Sequence, residues 1–203
     1  MKEYIVLDLE TTGVSEFSDE IIEIGAWRVR DGVLLEKFHR LLRPFRYLPR
    51  QVSCLTGIQA CGLRGCKVAA DILPEFLKFC GDAPFVGYNL EFDYRFLCVQ
   101  GRAYGLDFSL HEKRMGLDVL GYIKRHYRFP NYRLQDIVRY FKVNPDDGVC
   151  DGFSFHRALY DAYATKLVYD SLLSIESPFF VPSLLYREDT LYGHVGFMGG
   201  ITI

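Results

Sequence analysis

A chain of 203 residues that is 49% hydrophobic and 15% aromatic has enough apolar material for one well-filled domain and a short appendage. Its formal charge of −2 excludes a protein that coats long duplex nucleic acid by charge alone, though not one that grips a strand end locally. No run of about 18 apolar residues occurs, so no membrane-spanning helix and no membrane partner are expected. The chain passes from MKEY directly into a strand pattern, without a basic and apolar leader, and a cytoplasmic protein is expected.

Residues 3–10 read as a strand, 19–32 as a second closed by the Asp31-Gly32 turn, and 33–44 as a third stopped at Pro44. Short connections make these three an antiparallel meander. The period then changes. Residues 68–80 carry apolar side chains at helical spacing, 83–89 form a short buried strand, and 90–101 return to helix. A short strand running into a helix follows over 115–127, an amphipathic helix over 132–142, and the longest helix over 156–174. Strands first and then strands alternating with helices imply an α/β fold, one mixed sheet flanked by helices, over residues 1–175. After Ser174 the helical period ends, and residues 176–203 form an aromatic-rich extension expected to pack on its own domain.

Six cysteines stand at 54, 61, 66, 80, 98 and 150. Cys61 and Cys66 are close together, but no second pair follows to complete a zinc site, so reduced and mostly buried thiols are expected.

Three local patterns carry chemistry. In YIVLDLETTGV, Asp8 and Glu10 are two apart on a strand and therefore project from the same face at its end. No Lys or Arg lies between Lys2 and Arg28 to neutralise them, so protonation, a distant cation or a metal must do so. In VGYNLEFDYRFL, Asp93 sits beside the apolar stripe of Phe92, Phe96 and Leu97. In FHRALYDAYAT, His156 precedes a helix and Asp161 lies one and a half turns inside it, sharing a face with Ala158, Ala162 and Thr165. Taken singly these read as solvated acids, a surface acid and a helix-cap histidine. The basic stretches Arg40, Arg43, Arg46, Arg50 and Lys124, Arg125, Arg128 read as solvated faces or as phosphate tracks.

Taken in order, Asp-x-Glu-Thr-Thr-Gly, Asn-x-x-Phe-Asp-x-x-Phe-Leu and His-x-Ala-x-x-Asp-Ala resemble the motifs of the DEDDh, or DnaQ-like, 3′–5′ exonucleases, which include the proofreading epsilon subunit of bacterial DNA polymerase III. EIIEIGA (20–26), LTGI (55–58), GLDVL (116–120) and YRLQDIV (132–138) extend the resemblance over residues 3–175. It implies a ribonuclease H-like fold and a phosphodiester hydrolase that releases nucleoside monophosphates from single-stranded or frayed 3′ ends, DNA in preference to RNA. It also implies two Mg²⁺ or Mn²⁺ ions, with Asp8 bridging them, Glu10 and Asp161 completing the first site, Asp93 serving the second, and His156 as general base. Thr11, Thr12, Gly13, Asn89 and Phe92 would contact the terminal nucleotides, and a polymerase or repair complex is an implied partner. Tyr88 departs from the histidine usual before the Asn of the second motif, which loosens the substrate inference. Two alternatives stay open: an RNA-trimming exoribonuclease, and a catalytically idle scaffold for nucleic acid or polymerase. An idle site has no physical reason to keep so costly a charge cluster.

Overall fold

The computed structural model describes residues 3–108, 116–150 and 152–175. The first strand, β1 (Glu3–Thr11), is the middle of a five-stranded sheet of order β3-β2-β1-β4-β5. Its antiparallel neighbours are β2 (Ile21–Arg30) and then β3 (Val33–Leu41). On the other side run β4 (Phe85–Gly87) and β5 (Leu117–Asp118), both parallel. The meander plus parallel strands is the expected mixed sheet. The expected C-terminal extension, 176–203, lies outside the described residues.

Both faces of β1 are buried, which is why it reads as an unbroken apolar run. Ile5, Leu7 and Leu9 face one core together with α3 (Ala69–Cys80) and α4 (Leu90–Ala103). Tyr4 and Val6 face the other, with Trp27, Val29 and three helices: α5 (Val119–His126), α6 (Leu134–Phe141) and α7 (Ala158–Ile175). By the same alternation Asp8 and Glu10 fall on the α7 side.

Two short helices, α1 (Arg50–Thr56) and α2 (Ala60–Leu63), were not expected. Leu48, Ile58 and Leu63 from this region pack on Ile22 as a small third core. The surface position of this segment corrects the expectation for the thiols: Cys54 and Cys61 are exposed and Cys66 is half-buried, while Cys80, Cys98 and Cys150 are buried. None of the six forms a disulfide, and Cys66 Sγ donates to the Gly62 carbonyl. The third strand ends at Leu41, before Pro44, and the Leu42 amide makes one further bond to β2, at the Ile22 carbonyl. Among the described residues no helix is long and apolar enough to cross a membrane.

Candidate active site

β1 delivers Asp8 and Glu10, and its register with β2 sets Gly25 opposite Asp8 and Glu23 opposite Glu10. Gly25 decides what can cover them. A Cβ there would lie 2.1 Å from the Leu159 amide nitrogen and 2.2 Å from the Ala158 carbonyl carbon. The first turn of α7 therefore rests directly on the backbone of β2, and only glycine permits it. Ala158, Ala162 and Thr165, all buried, continue this close packing. The helix starts at Ala158 because His156 adopts φ 68°, outside helical space, so Asp161 lies in the first turn and not deeper in the helix.

The result is a cluster in which ligand oxygens of Asp8, Glu10 and Asp161 all lie within 4.8 Å of one another. Asp161 Oδ2 accepts the His156 amide at 3.1 Å, while its buried Oδ1 has no hydrogen-bond partner. Burial, followed by the charges of Asp93, Asp161, Glu10 and Glu23, holds the Asp8 carboxyl well above the usual carboxylate range. Burial and the neighbouring Asp161, Glu23 and Asp93 push Glu10 up to about 9, against a smaller opposing pull from Arg157. Burial also raises Asp161 to about 7, although the His156 amide works the other way. Three acids that resist ionisation together, one with an orphaned oxygen, are what a hard divalent cation relieves. The donor set, all oxygen, fits Mg²⁺ or Mn²⁺.

Asp93 arrives from a different direction. Asn89, in the left-handed conformation with φ 67°, turns the chain from β4 into α4. Its amide is held by Asp118 Oδ1 at 2.9 Å, and the same carboxylate caps α5 through Leu120. One turn into α4, Asp93 lies 2% exposed under the end of β1, where its Oδ1 accepts the Leu9 amide at 3.1 Å. β4 has ended by then, so a side chain takes the place of a strand partner. Burial raises Asp93 despite this bond. Its charge is felt by Asp8, but it stands outside the three-residue cluster.

His156 is exposed on the loop entering α7, fixed through its amide to Asp161. Thr11 and Thr12 are buried, and their hydroxyls are used within the turn. That of Thr11 donates to the Gly13 carbonyl, and that of Thr12 accepts the Glu20 amide and lies 3.3 Å from Asp19 Oδ1. A Cβ at Gly13 would meet the Asp19 carboxylate at 2.5 Å, so any larger residue there must displace that side chain from its bonds in the turn. Phe92 is half-buried, its ring 4.9 Å from that of Phe96, and with Asn89, Val14, Glu16 and Arg95 it lines a cleft of about 300 Å³. Tyr88 packs on the α5–α7 core and donates its hydroxyl to the Tyr132 carbonyl at 2.5 Å.

Three residues of this region were not singled out in the sequence. Glu23 is fully buried and receives Arg157 through Nε and Nη2, His39 Nε2 at 2.6 Å and the Ala158 amide at 3.2 Å. Burial alone would raise its pKa, but the bonds from His39, Arg157 and Ala158 outweigh it and hold the carboxyl below its ordinary value. The Arg157 guanidinium also lies 4.6 Å over the Phe153 ring, against which His39 packs edge-on. Glu23 thus pins the two residues that follow His156. Its only signal in the sequence is parity: it interrupts the apolar run of β2 on the face that carries Gly25 and Trp27.

A family model described as Exonuclease matches residues 5–169. The chain is 36% identical over 167 residues to a DNA polymerase III PolC-type protein of Thermotoga petrophila, covering 82% of this chain. That match spans only 11% of the PolC-type protein's length. It is 33% identical over 174 residues to the DNA polymerase III subunit epsilon of Aquifex aeolicus, covering 84% of this chain and 80% of that one. Among solved structures, exonuclease X in complex with 5′ overhanging duplex DNA aligns with TM-score 0.70 at 22% identity, covering 91% and 96% of the two chains. Exonuclease I aligns with TM-score 0.73 at 18% identity, covering 88% of this chain and 42% of that one. These structures share the fold. With the family model matched from β1 to α7, the chain belongs to the exonuclease family.

Proposed function

We propose that the protein removes nucleoside monophosphates from 3′ ends of single-stranded or frayed nucleic acid, DNA in preference to RNA, by divalent-metal-dependent hydrolysis. The observation that carries this reading is the convergence of Asp8, Glu10 and Asp161, with Asp161 Oδ1 buried and unpartnered. Asp8, Glu10 and Asp161 would hold one Mg²⁺ or Mn²⁺ ion, and Asp8 with Asp93 a second. When bound, such ions activate a water and neutralise charge on the phosphate and the leaving oxygen.

The chain's own groups divide the remaining work. His156 takes the proton of the attacking water, a role suited to an exposed imidazole on the loop entering α7. The bond from its amide to Asp161 ties the position of the base to that of a ligand carboxylate. The turn Thr11-Thr12-Gly13, stitched to residues 19–20, offers a rigid backbone edge to the last nucleotide. Asn89 and Phe92, in the neighbouring cleft, receive its sugar and base. The relatives named as polymerase III proteins support a polymerase as a partner.

Strand polarity tests the reading. A 5′-labelled single strand incubated with Mg²⁺ should give a ladder that shortens from the 3′ end, with mononucleotides as the other product. Shortening of a 3′-labelled strand to a labelled remnant, or cuts within a circular strand, would count against it.

A further inference from the structure

The loop 42–49 and helices α1 and α2 carry four exposed arginines that take no part in the acid cluster: Arg43, Arg46, Arg50 and Arg64. Among the described residues none of the four is in an ion pair. Arg40, next to them in sequence, is different, since it pairs with Glu75 and lies 5.0 Å over Phe38. Arg43, Arg46 and Arg64 surround a concavity of about 240 Å³ floored by Leu48 and Leu63 and edged by Tyr47, which is 79% exposed. Phe45, 73% exposed, stands beside it.

This surface is held stiffly for something so exposed. Glu20 accepts both the Phe45 and Arg46 amides, at 3.1 and 2.7 Å, and Arg43 donates its amide to the Lys67 carbonyl at 2.9 Å. Bare rings and unpaired guanidiniums on a rigid backbone are organised for a ligand with flat faces and regular negative charge. The concavity also connects to the active-site cleft. A second hollow of about 230 Å³, lined by Phe17, Phe45 and Tyr104, shares Arg46 with the first. It shares Glu16 with the cleft at Asn89 and Phe92. The acids along this path are already engaged: Asp19 by Thr12 and the Ser15 amide, Glu20 by the two loop amides, and Glu91 and Glu16 by Arg95 at 2.7 and 3.7 Å.

We propose that Arg43, Arg46, Tyr47 and Arg64 form a remote site for the single-stranded nucleic acid that lies upstream of the 3′ end, the arginines on phosphates and Tyr47 under a base. The proposal rests on the 3′–5′ exonuclease reading for the direction of the strand. It makes binding, but not the chemical step, depend on strand length.

The test uses the full chain, a fluorescent single strand of about fifteen nucleotides and a trinucleotide, a span chosen because single-strand sites cover roughly 4–16 nucleotides. Binding is read by anisotropy in chelator, so that it does not depend on turnover. The triple variant Arg43→Gln/Arg46→Gln/Arg64→Gln should weaken binding of the long strand about tenfold or more. It should also make the slope of log affinity against log salt shallower by about 2, at roughly 0.7 per neutralised phosphate. Tyr47→Ala should weaken binding about tenfold with the slope unchanged. With Mg²⁺, KM for the long strand should rise at constant kcat, and the trinucleotide should be cleaved at the wild-type rate. Equal losses on both lengths would mean structural damage and overturn the proposal. Unchanged affinity and salt slope would overturn it too, and leave the patch to a protein partner. Should even the wild-type chain fail to cleave either strand, the exonuclease reading fails, while the anisotropy still decides the remote site.

Discussion

Replacing Gly25 with alanine adds a single methyl group, and the structure makes that the most disruptive small change available near the site. The new Cβ would meet backbone atoms of Ala158 and Leu159 at 2.1–2.4 Å, and no rotamer change can move them. To reach an ordinary contact of 3.4 Å, the first turn of α7 must retreat by about 1 Å or β2 must buckle. Overpacking of this kind costs about 1–3 kcal/mol. Two hydrogen bonds that clamp the same turn, Trp27 Nε1 to the Leu159 carbonyl and the Ala158 amide to Glu23, would be stretched, at about 1 kcal/mol each. The expected destabilisation is therefore about 3–5 kcal/mol. Asp161 rides on that turn, so a shift of about 1 Å should also reduce turnover about 100-fold per folded molecule. Urea denaturation gives the first quantity, and initial rates corrected for the folded fraction give the second. An alanine variant within about 0.5 kcal/mol of wild type and fully active would refute the claim that close approach at Gly25 positions Asp161.

Further consequences concern the charges. Asp8→Asn and Asp161→Asn should each abolish turnover while leaving the metal-free fold intact or more stable, since like charges are removed; calorimetry with chelator checks the second half. His156→Ala should lower kcat by about 10²–10⁴ while metal affinity stays near wild type, as a Mn²⁺ titration would report. The folded-state pKa values of Glu10, about 9, and Asp161, about 7, stand above their ordinary values of 4.5 and 3.8. Their ionisation thus leaves the fold unharmed below about pH 4 and destabilises it progressively as pH rises towards 9. Melting temperature in chelator should fall across that window, and Mg²⁺ should flatten the fall; a flat profile in chelator would contradict the raised values. Glu23 behaves oppositely, because its folded pKa is depressed: its stabilisation is present above about pH 4.5 and lost as pH falls below that. Arg157→Gln, which leaves buried Glu23 with His39 and the Ala158 amide but no guanidinium, should cost about 3–5 kcal/mol in urea denaturation, and Glu23→Gln/Arg157→Gln together should cost less than that single change.

What could be read from the sequence follows the range of the forces involved. Strand parity is local, so the shared face of Asp8 and Glu10 was legible, as was the antiparallel meander with its Asp31-Gly32 turn. The resemblance brought in Asp93, His156 and Asp161, which no local pattern could have joined across the 152 residues of chain separating Asp8 from Asp161. Gly25 gave no local warning. Its necessity comes from α7 crossing β2, and a glycine in a strand reads equally as a bulge or a weak point. Glu23 was hidden for the same reason, since its partners His39 and Arg157 come from β3 and the entry to α7. Helices α1 and α2, seven and four residues long, are too short to show a hydrophobic period. The platform of Arg43, Arg46, Tyr47 and Arg64 depends on them, so only its charge was visible beforehand.

The central claim is that Asp8, Glu10 and Asp161 hold the divalent ion on which hydrolysis depends. It is tested most directly by titrating Mn²⁺ into the full chain, wild type and Asp161→Asn, with bound ion read by electron paramagnetic resonance and mononucleotide release followed in the same samples. The expected result is saturable binding in the wild type, release that rises with occupancy, and in the variant fewer bound ions and no release, with secondary structure and melting intact. Wild-type release that proceeds with no ion bound, or an Asp161→Asn chain that binds and cleaves normally, would contradict it.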